Sequence, residues 1–489
     1  MGPAEILTVY FASALSALLL GWIEKFTKRY GLVRIVGVAG TAFSLALAPL
    51  LDEGTYRPLD ATLLPPSEFK VDGLTRVIYF LLSGLGFASA VYSFAYAKKE
   101  ESTAYYTLFL LLLGGLSGAL LSNDLFTFYC FWELAAVSAY SLVALRWRYW
   151  EPIEASFKYL VACTLGALTT LYATTWVYGL YGTTNLDELR GMAAASQARL
   201  VLTAVSMLYV VGLGTTAAVA PLHMWLPDAH SAAPSPVSAM LSGMVVKIPL
   251  LMLVKLLIGV FPPLPELQYV LLALGALSMT LGNAAALIQV DVKRLLAYST
   301  VANIGYVLLG LGAWYRARLL GAEEIAATAA TGAVVQLIVH ALSKSLLFLS
   351  FGSAIEAAES RNVTSIEGFG FHMPATGAAT LIALVNLIGI PPMLGYYGKA
   401  LITAGLAYKL TDLAALLALA ALEANYAFAA GIYAYLALRV FRKRKRAFSE
   451  APRAMVASEL LLAALIVALS VYPGVLVDRV RVCVVKFPG

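Results

Sequence analysis

Apolar residues run along this chain in blocks long enough to cross a bilayer, separated by short polar joints. A helix needs about 20 mostly apolar residues to span the hydrocarbon core. Fourteen stretches qualify: 5–23, 31–50, 74–97, 102–121, 124–145, 153–181, 199–221, 235–260, 266–289, 295–313, 324–357, 374–408, 412–438 and 454–473. The pattern predicts an all-α polytopic membrane protein with about fourteen transmembrane helices. Two spans are interrupted. The seventh leaves through "GLGTTAAVAPLHMWLPDAHSAAPSPV", Gly212 to Val237, which holds Pro221, His223, Asp228 and His230. The twelfth contains "NLIGIPPMLGYYGK", with Gly389, Pro391, Pro392 and Gly395 in mid-run. Proline removes a backbone donor and clashes with the preceding turn. In lipid, such backbone survives only where protein or water satisfies it.

The two breaks lie five helices apart, the spacing expected of two inverted five-helix repeats. That divides the chain into helices 1–3 (1–101), a first repeat of helices 4–8 (102–260) and a second of helices 9–13 (261–440). A basic segment and helix 14 follow (441–489). Ser235 and Pro236 read as the N-cap and first turn of helix 8.

Composition identifies the solvent. The chain of 489 residues is 61% hydrophobic and 13% charged, against about 25% charged in soluble domains. A soluble enzyme is therefore excluded. The N-terminus lacks the basic n-region of a cleaved signal peptide. The net charge of +6 does not point to nucleic acid, because the bases gather at helix ends. The densest run, "RVFRKRKR" from Arg439 to Arg446, reads as an anchor at an anionic membrane surface. One side of the membrane collects Lys25, Lys28, Arg29, Arg34, Lys98, Lys99, Arg146, Arg148, Lys293, Arg294, Arg361 and the bases from Arg439 to Arg453. The other has roughly half as many, so both termini are expected outside a cell membrane. Cys130, Cys163 and Cys483 have no metal-ligand spacing and are expected to be small buried apolar residues. No cluster, haem, zinc or phosphate-binding motif is present, and no cofactor or metal is expected.

Ionisable residues inside apolar spans cost at least ~2.5–3.5 kcal/mol each on insertion scales, so each needs a reason. Glu133 lies nine residues past Asp124, about 14 Å along helix 5. Lys247 is about 18 Å into helix 8. His340 and Lys344 are i, i+4 neighbours on one face of helix 11. Lys399 follows the break in helix 12 by seven residues, and Glu423 stands mid-run in helix 13. Lys158, at the start of helix 6, is a further candidate. Lys255, two turns after Lys247, is expected to snorkel to the interface. His223, Asp228 and His230 are expected to tie down loop backbone. Rows of such groups suit proton relay. No nucleophilic triad or redox-centre ligand set accompanies them, so the chemistry is ion movement.

Four segments carry a resemblance: "PLHMWLPDAHSAAPSPVSAMLSGMVVK", "VDVKRLLAYSTVANIGYVLLG", "VHALSKSLLFLSFGSAIE" and "GIPPMLGYYGK". Together they resemble the antiporter-like membrane subunits of respiratory complex I (NADH:quinone oxidoreductase), of Mrp-type cation/proton antiporters and of energy-converting hydrogenases. Within the first, "AHSAAPSPVSAMLSGMVVK" looks most like the hydrogenase-linked branch. The resemblance implies two half-channels joined by a central polar axis. Glu133 matches the family's helix-5 glutamate and Lys247 its helix-8 lysine. His340 and Lys344 match the helix-11 axis, and Lys399 the ionisable residue after the helix-12 break. The family's helix-7 lysine falls at Thr216, so Glu133 lacks its usual partner.

The resemblance implies a proton-translocating subunit of a respiratory or hydrogenase-type complex, partnered by other membrane subunits and without a catalytic centre of its own. A Mrp-type Na⁺/H⁺ antiporter subunit and a non-translocating scaffold are the alternatives.

Overall fold

The computed structural model describes residues 1–27, 31–57, 67–410, 412–443 and 448–486. Lys28 and Arg29 of the charge count, and Arg444 to Arg446 of the basic run, lie outside the described residues. Thirteen helices among the described residues are long and apolar enough to cross a membrane. They are α1 Pro3–Thr27, α2 Leu32–Leu50, α3 Gly73–Tyr96, α4 Lys99–Leu121, α5 Leu125–Arg146, α6 Trp150–Tyr181 and α7 Arg199–Thr216, then α8 Ser235–Val260, α9 Pro265–Leu287, α10 Val292–Leu319, α11 Glu323–Ala358, α13 Leu413–Val440 and α14 Arg453–Val471. The fourteenth crossing is α12, made of two shorter pieces, Pro374–Ile388 and Leu394–Ala407. After its break α7 resumes as Trp225–Ala232.

Side-chain chemistry sets several helix starts. Asp72, Asp124, Asp291 and Asp412 each accept a backbone N–H from the first turn of the helix they precede, at 2.7–2.8 Å. Each satisfies a donor that the helix itself cannot. Ser235 does not cap α8 as the sequence suggests: Pro234 occupies that position and the Ser235 hydroxyl is buried without a partner. Tyr96 of α3 replaces the cap, its hydroxyl accepting the Ser235 N–H at 3.3 Å.

The inversion of the two halves is visible in a pair of backbone clasps. Before α5, Asn123 accepts from the Leu186 N–H at 2.9 Å while Leu125 N–H donates to Thr184 at 3.0 Å. Before α10, Val290 accepts from the Val363 N–H at 2.9 Å while Val292 N–H donates to Arg361 at 3.0 Å. Asp124 pairs with Asn185 and Asp291 with Asn362. The same clasp thus joins the start of α5 to the end of α6 on one membrane side, and the start of α10 to the end of α11 on the other.

The core sits on α8, which is buried along its length, and on α10 and α11. Large apolar side chains of α1 and α6, such as Trp22, Phe26, Phe157 and Leu165, lie exposed as lipid-facing groups do. Not foreseen from the pattern were the helix Leu186–Ala195, between α6 and α7, and, at the end of the chain, α15, Pro473–Lys486. The buried Leu476, Val480 and Val484 of α15 recur every four residues, a stripe too short and too flanked by charge to read as a span. The cysteines also differ from expectation. Cys163 is buried, but Cys130 is exposed, on an edge that α5 turns to the perimeter, and Cys483 on α15 is half-buried.

Candidate functional site

In α8 the helix widens between Leu241 and Val245 into a π-turn, with Val246 N–H reaching back to Leu241 at 3.2 Å. Such bulges loosen the carbonyl ladder and recur at functional sites. Lys247 follows at once, 2% exposed, and its Nζ donates to the Ser242 carbonyl inside the widened turn. The Ser242 hydroxyl shares a 2.7 Å hydrogen bond with Thr300 of α10.

Lys344 of α11 is fully buried. Its Nζ donates to the Leu296 carbonyl of α10 at 3.0 Å and to the Ser299 hydroxyl, and lies 5.6 Å from the Tyr433 ring centre. His340 is buried one turn earlier, with its Nε2 unpartnered. Amides continue the polar line. Gln336 donates to Asn303 at 3.0 Å, Asn303 donates to the Tyr433 hydroxyl at 3.1 Å, and Asn386 donates to Ser343 at 2.9 Å.

At the α12 break, Gly389 adopts φ +77° and the Pro391–Pro392 bond is cis. The first piece of α12 ends there with unclaimed carbonyls. Lys399 Nζ takes those of Leu387 and Ile388, both at 2.9 Å. A helix C-terminus carries partial negative charge, which favours an ammonium. Lys399 also lies over Tyr426, 4.8 Å from its centre. Asn386 accepts the Gly395 N–H at 3.0 Å across the gap. Glu423 is exposed on α13 and accepts from Thr403 at 2.8 Å.

The α7 break is satisfied differently. Trp225 Nε1 donates to the Thr215 carbonyl at 3.0 Å, and Ala220 N–H to the Ser278 hydroxyl at 3.0 Å, while Ala220–Pro221 is cis. Thr216 is buried, its hydroxyl turned onto the Leu213 carbonyl at 3.0 Å. Glu133 is half-buried, and its Oε1 accepts no hydrogen bond.

Lys158 is not brought into this axis. Its side chain is 49% exposed and pairs with Glu154 at 2.8 Å and Asp228 at 3.0 Å. Asp228 also holds Arg294 at 2.5 Å, so it ties α6, the second piece of α7 and α10 together at the surface. His223 is buried with Nδ1 unpartnered. His230 does more than pin a loop: it is fully buried, stacks on Phe348 at 4.4 Å, and neither ring nitrogen has a partner.

Lys255 does not snorkel. It is 8% exposed and donates to the Leu120 carbonyl at 3.2 Å and Thr75 at 3.3 Å. α3 and the end of α4 close over it, and it lines a cavity of about 350 Å³ with Asp72, Asp187 and Arg190. Lys293, read from sequence as a surface base, is 5% exposed and donates to the Ala233 carbonyl at 2.7 Å. Glu459 of α14 is fully buried and had not been singled out. One signal was available for the amides. The apolar spans α9 to α13 each carry a buried amide in mid-run, at Asn283, Asn303, Gln336, Asn386 and Asn425, with Gln268 a second one near the start of α9.

Among the described residues no three His, Cys, Asp or Glu side chains form a metal cradle. A buried row of ammonium groups between two helix breaks, bridged by hydroxyls and amides, defines an ion-translocating membrane protein of the inverted-repeat class. The family model described as "NADH:quinone oxidoreductase/Mrp antiporter, TM" matches residues 122–422, and the chain belongs to that family. It is 31% identical over 399 residues to NADH-quinone oxidoreductase subunit N of Desulforudis audaxviator, covering 80% of this chain and 77% of that protein. It is 30% identical over 406 residues to hydrogenase-4 component B of Escherichia coli, covering 81% of this chain and 59% of that one. Among solved structures, a chain of an archaeal membrane-bound sulfane sulfur reductase complex superposes with a TM-score of 0.87 at 25% identity. That match covers 99% of this chain and 98% of the other.

Proposed function

We propose that this chain moves protons across a cell membrane along Lys247, His340, Lys344 and Lys399, as one membrane subunit of a multi-subunit redox complex. The observation that carries the reading is the way these lysines are held. Each ammonium is buried and rests on backbone carbonyls or hydroxyls. A buried lysine locked by a carboxylate would be fixed in charge; one held by neutral acceptors can gain and lose its proton at lower cost. Relatives in NADH-quinone oxidoreductase and in hydrogenase-4 support the assignment of redox partners. The repeats 102–260 and 261–440 are the two half-channels of this reading. The basic sides of α1, α3, α5 and α13 face the interior, with both termini outside.

The test is proton uptake by vesicles containing the assembled complex. Lys399→Ala and Lys247→Ala each lower uptake about tenfold or more while assembly stays normal. Undiminished uptake in both rejects the reading. Uptake that needs sodium and no electron donor assigns the chain to an Mrp-type antiporter instead.

One observation favours a second reading for the first half. With Thr216 turned onto its own helix and Glu133 Oε1 unpartnered, the first half-channel lacks its switching pair. In that reading Glu133 only shapes the field, and the second half conducts.

A further inference from the structure

Glu459 lies six residues into α14, about 9 Å from its start at 1.5 Å per residue, and is fully buried. It accepts from Ser353 of α11 at 2.5 Å and from Thr376 of α12 at 2.8 Å. The same Thr376 hydroxyl contacts Glu450 at 2.8 Å. Glu450 is exposed, on the connection between α13 and α14. On the inner side Ser353 shares a 3.1 Å hydrogen bond with the Tyr92 hydroxyl, which lies 3.0 Å from the Leu349 carbonyl. These groups form one unbroken line from the surface to α11. Ser353 stands nine residues beyond Lys344, about 14 Å along the helix.

Two features distinguish this line from a structural brace. First, among the described residues no Lys or Arg stabilises Glu459, only hydroxyls. A buried carboxylate kept as a fixed charge is normally paired with a cation. Hydroxyls can both give and accept a proton. Second, the protons do not suffice. Five contacts join Glu450, Thr376, Glu459, Ser353, Tyr92 and the Leu349 carbonyl, and the three hydroxyls supply one proton each. With both carboxylates ionised, two contacts have no hydrogen. Each proton added to a carboxylate completes one of them, so the line is built to take up protons. At its inner end the Ser235 hydroxyl is buried and unpartnered. It and the Tyr92 hydroxyl lie 2.8 and 2.9 Å from the point where a side chain on Gly352 would start. An unused acceptor of α8 therefore waits where the line ends.

We propose that Glu459 is the proton-carrying carboxylate of a separate inlet, filled from Glu450 through Thr376 and emptied through Ser353 and Tyr92 toward α11 and α8. The inference rests on the reading that this chain moves protons. A proton from water neutralises Glu450. Thr376 receives that proton and passes its own to Glu459, and Ser353 and Tyr92 repeat the exchange inward. The proton released at Tyr92 ends on a neutral amine of the buried lysine row, which becomes an ammonium; Lys344 is the member on the same helix as Ser353. Each hydroxyl ends as it began, and both carboxylates return to their charged form.

The test uses the assembled complex in vesicles and the full chain in lipid nanodiscs. Glu459→Gln preserves the shape and both hydroxyl contacts but cannot carry a proton. Thr376→Val removes only the bridging hydroxyl, and Thr376→Ser restores it. Proton uptake is expected to fall about tenfold in E459Q and T376V, with assembly unchanged, and to recover in T376S. Uptake equal to wild type in E459Q overturns the inlet. If the wild-type complex takes up no protons, the function reading fails instead, and infrared spectroscopy of the nanodiscs decides this proposal. A protonated-carboxyl band that is lost in E459Q and exchanges more slowly with deuterated water in T376V supports it. A band unchanged in E459Q overturns it.

Discussion

Lys399 and Ile388 face each other across the break in α12, the ammonium 2.9 Å from the carbonyl that the missing turn would have used. Eleven residues separate them in sequence, so only the break brings them together. Gly395 holds the geometry. A methyl there would stand 1.9 Å from the Asn386 carbonyl oxygen, closer than any van der Waals contact allows. Gly395→Ala must push the two pieces of α12 apart. The expected cost is about 1–3 kcal/mol of stability, with proton uptake reduced as far as in Lys399→Ala. Thermal melting together with vesicle uptake checks this. A variant with wild-type uptake shows that Lys399 does not depend on the broken turn.

Thr216 and Glu133 give a second prediction. If the family's pairing geometry persists in this chain, Thr216→Lys places an ammonium within reach of the unpartnered Glu133 Oε1. A double-mutant cycle of Thr216→Lys with Glu133→Gln then shows favourable coupling of about 0.5–3 kcal/mol, read from chemical or thermal unfolding in detergent. Additive effects mean that the two positions do not meet. Uptake by Thr216→Lys is the functional counterpart: a rise over wild type marks the first half-channel as dormant for want of this residue.

The loop cluster on the side opposite the basic segments makes a pH prediction. Glu68 is held by Asn185 at 2.9 Å, Asn123 at 2.7 Å and Arg57 at 3.0 Å. Burial alone would push its carboxyl up, but those hydrogen bonds and the Arg57 charge outweigh it and hold the carboxyl below its ordinary value of 4.5. Asp187 is likewise below 3.8: burial acts upward, and Lys70 and Asn123 prevail. A lowered carboxylate stabilises the fold at pH above its unfolded value, and that stability is lost as pH falls through the lower folded value. The cluster is therefore intact above about pH 4.5 and loosens below about pH 4. Hydrogen-exchange protection over 67–72 and 183–188, measured relative to the intrinsic amide rate at each pH, should fall in that acid window. In Glu68→Gln it should already be lower at neutral pH. Protection factors unchanged from pH 7 to 3 contradict the assignment.

Much of the architecture was legible because lipid imposes one rule, apolar length, on every crossing. Fourteen stretches matched the thirteen long spans and the broken α12 among the described residues, and the prolines at Pro221, Pro391 and Pro392 marked both breaks. Lys247, His340, Lys344 and Lys399 stood out because a charge in an apolar run is rare. Glu459, Lys255 and Lys293 lie near helix ends, where a charged residue normally reaches water. Only the packing of α3, α7 and α12 over them makes them buried, and that packing has no local signature. Lys158 shows the converse: its sequence position suited either role, and its partners Glu154 and Asp228 come from the surface. The capping of Ser235 failed for a similar reason, since a tyrosine more than a hundred residues away took the N–H.

The neutral grip on the buried lysines has a kinetic consequence. A carbonyl oxygen cannot ionise, so it cannot absorb the charge when its lysine is protonated. The imbalance must fall on the next ammonium along the row, and Lys247 already lies in the field of Lys344. Like charges in a medium of low polarisability repel strongly. Adjacent positions therefore resist simultaneous occupancy, as on a single-lane bridge where one vehicle must clear before the next sets out. On the path proposed above, transport along such a row is therefore expected to be stepwise and ordered, with its direction set by whichever end is emptied first.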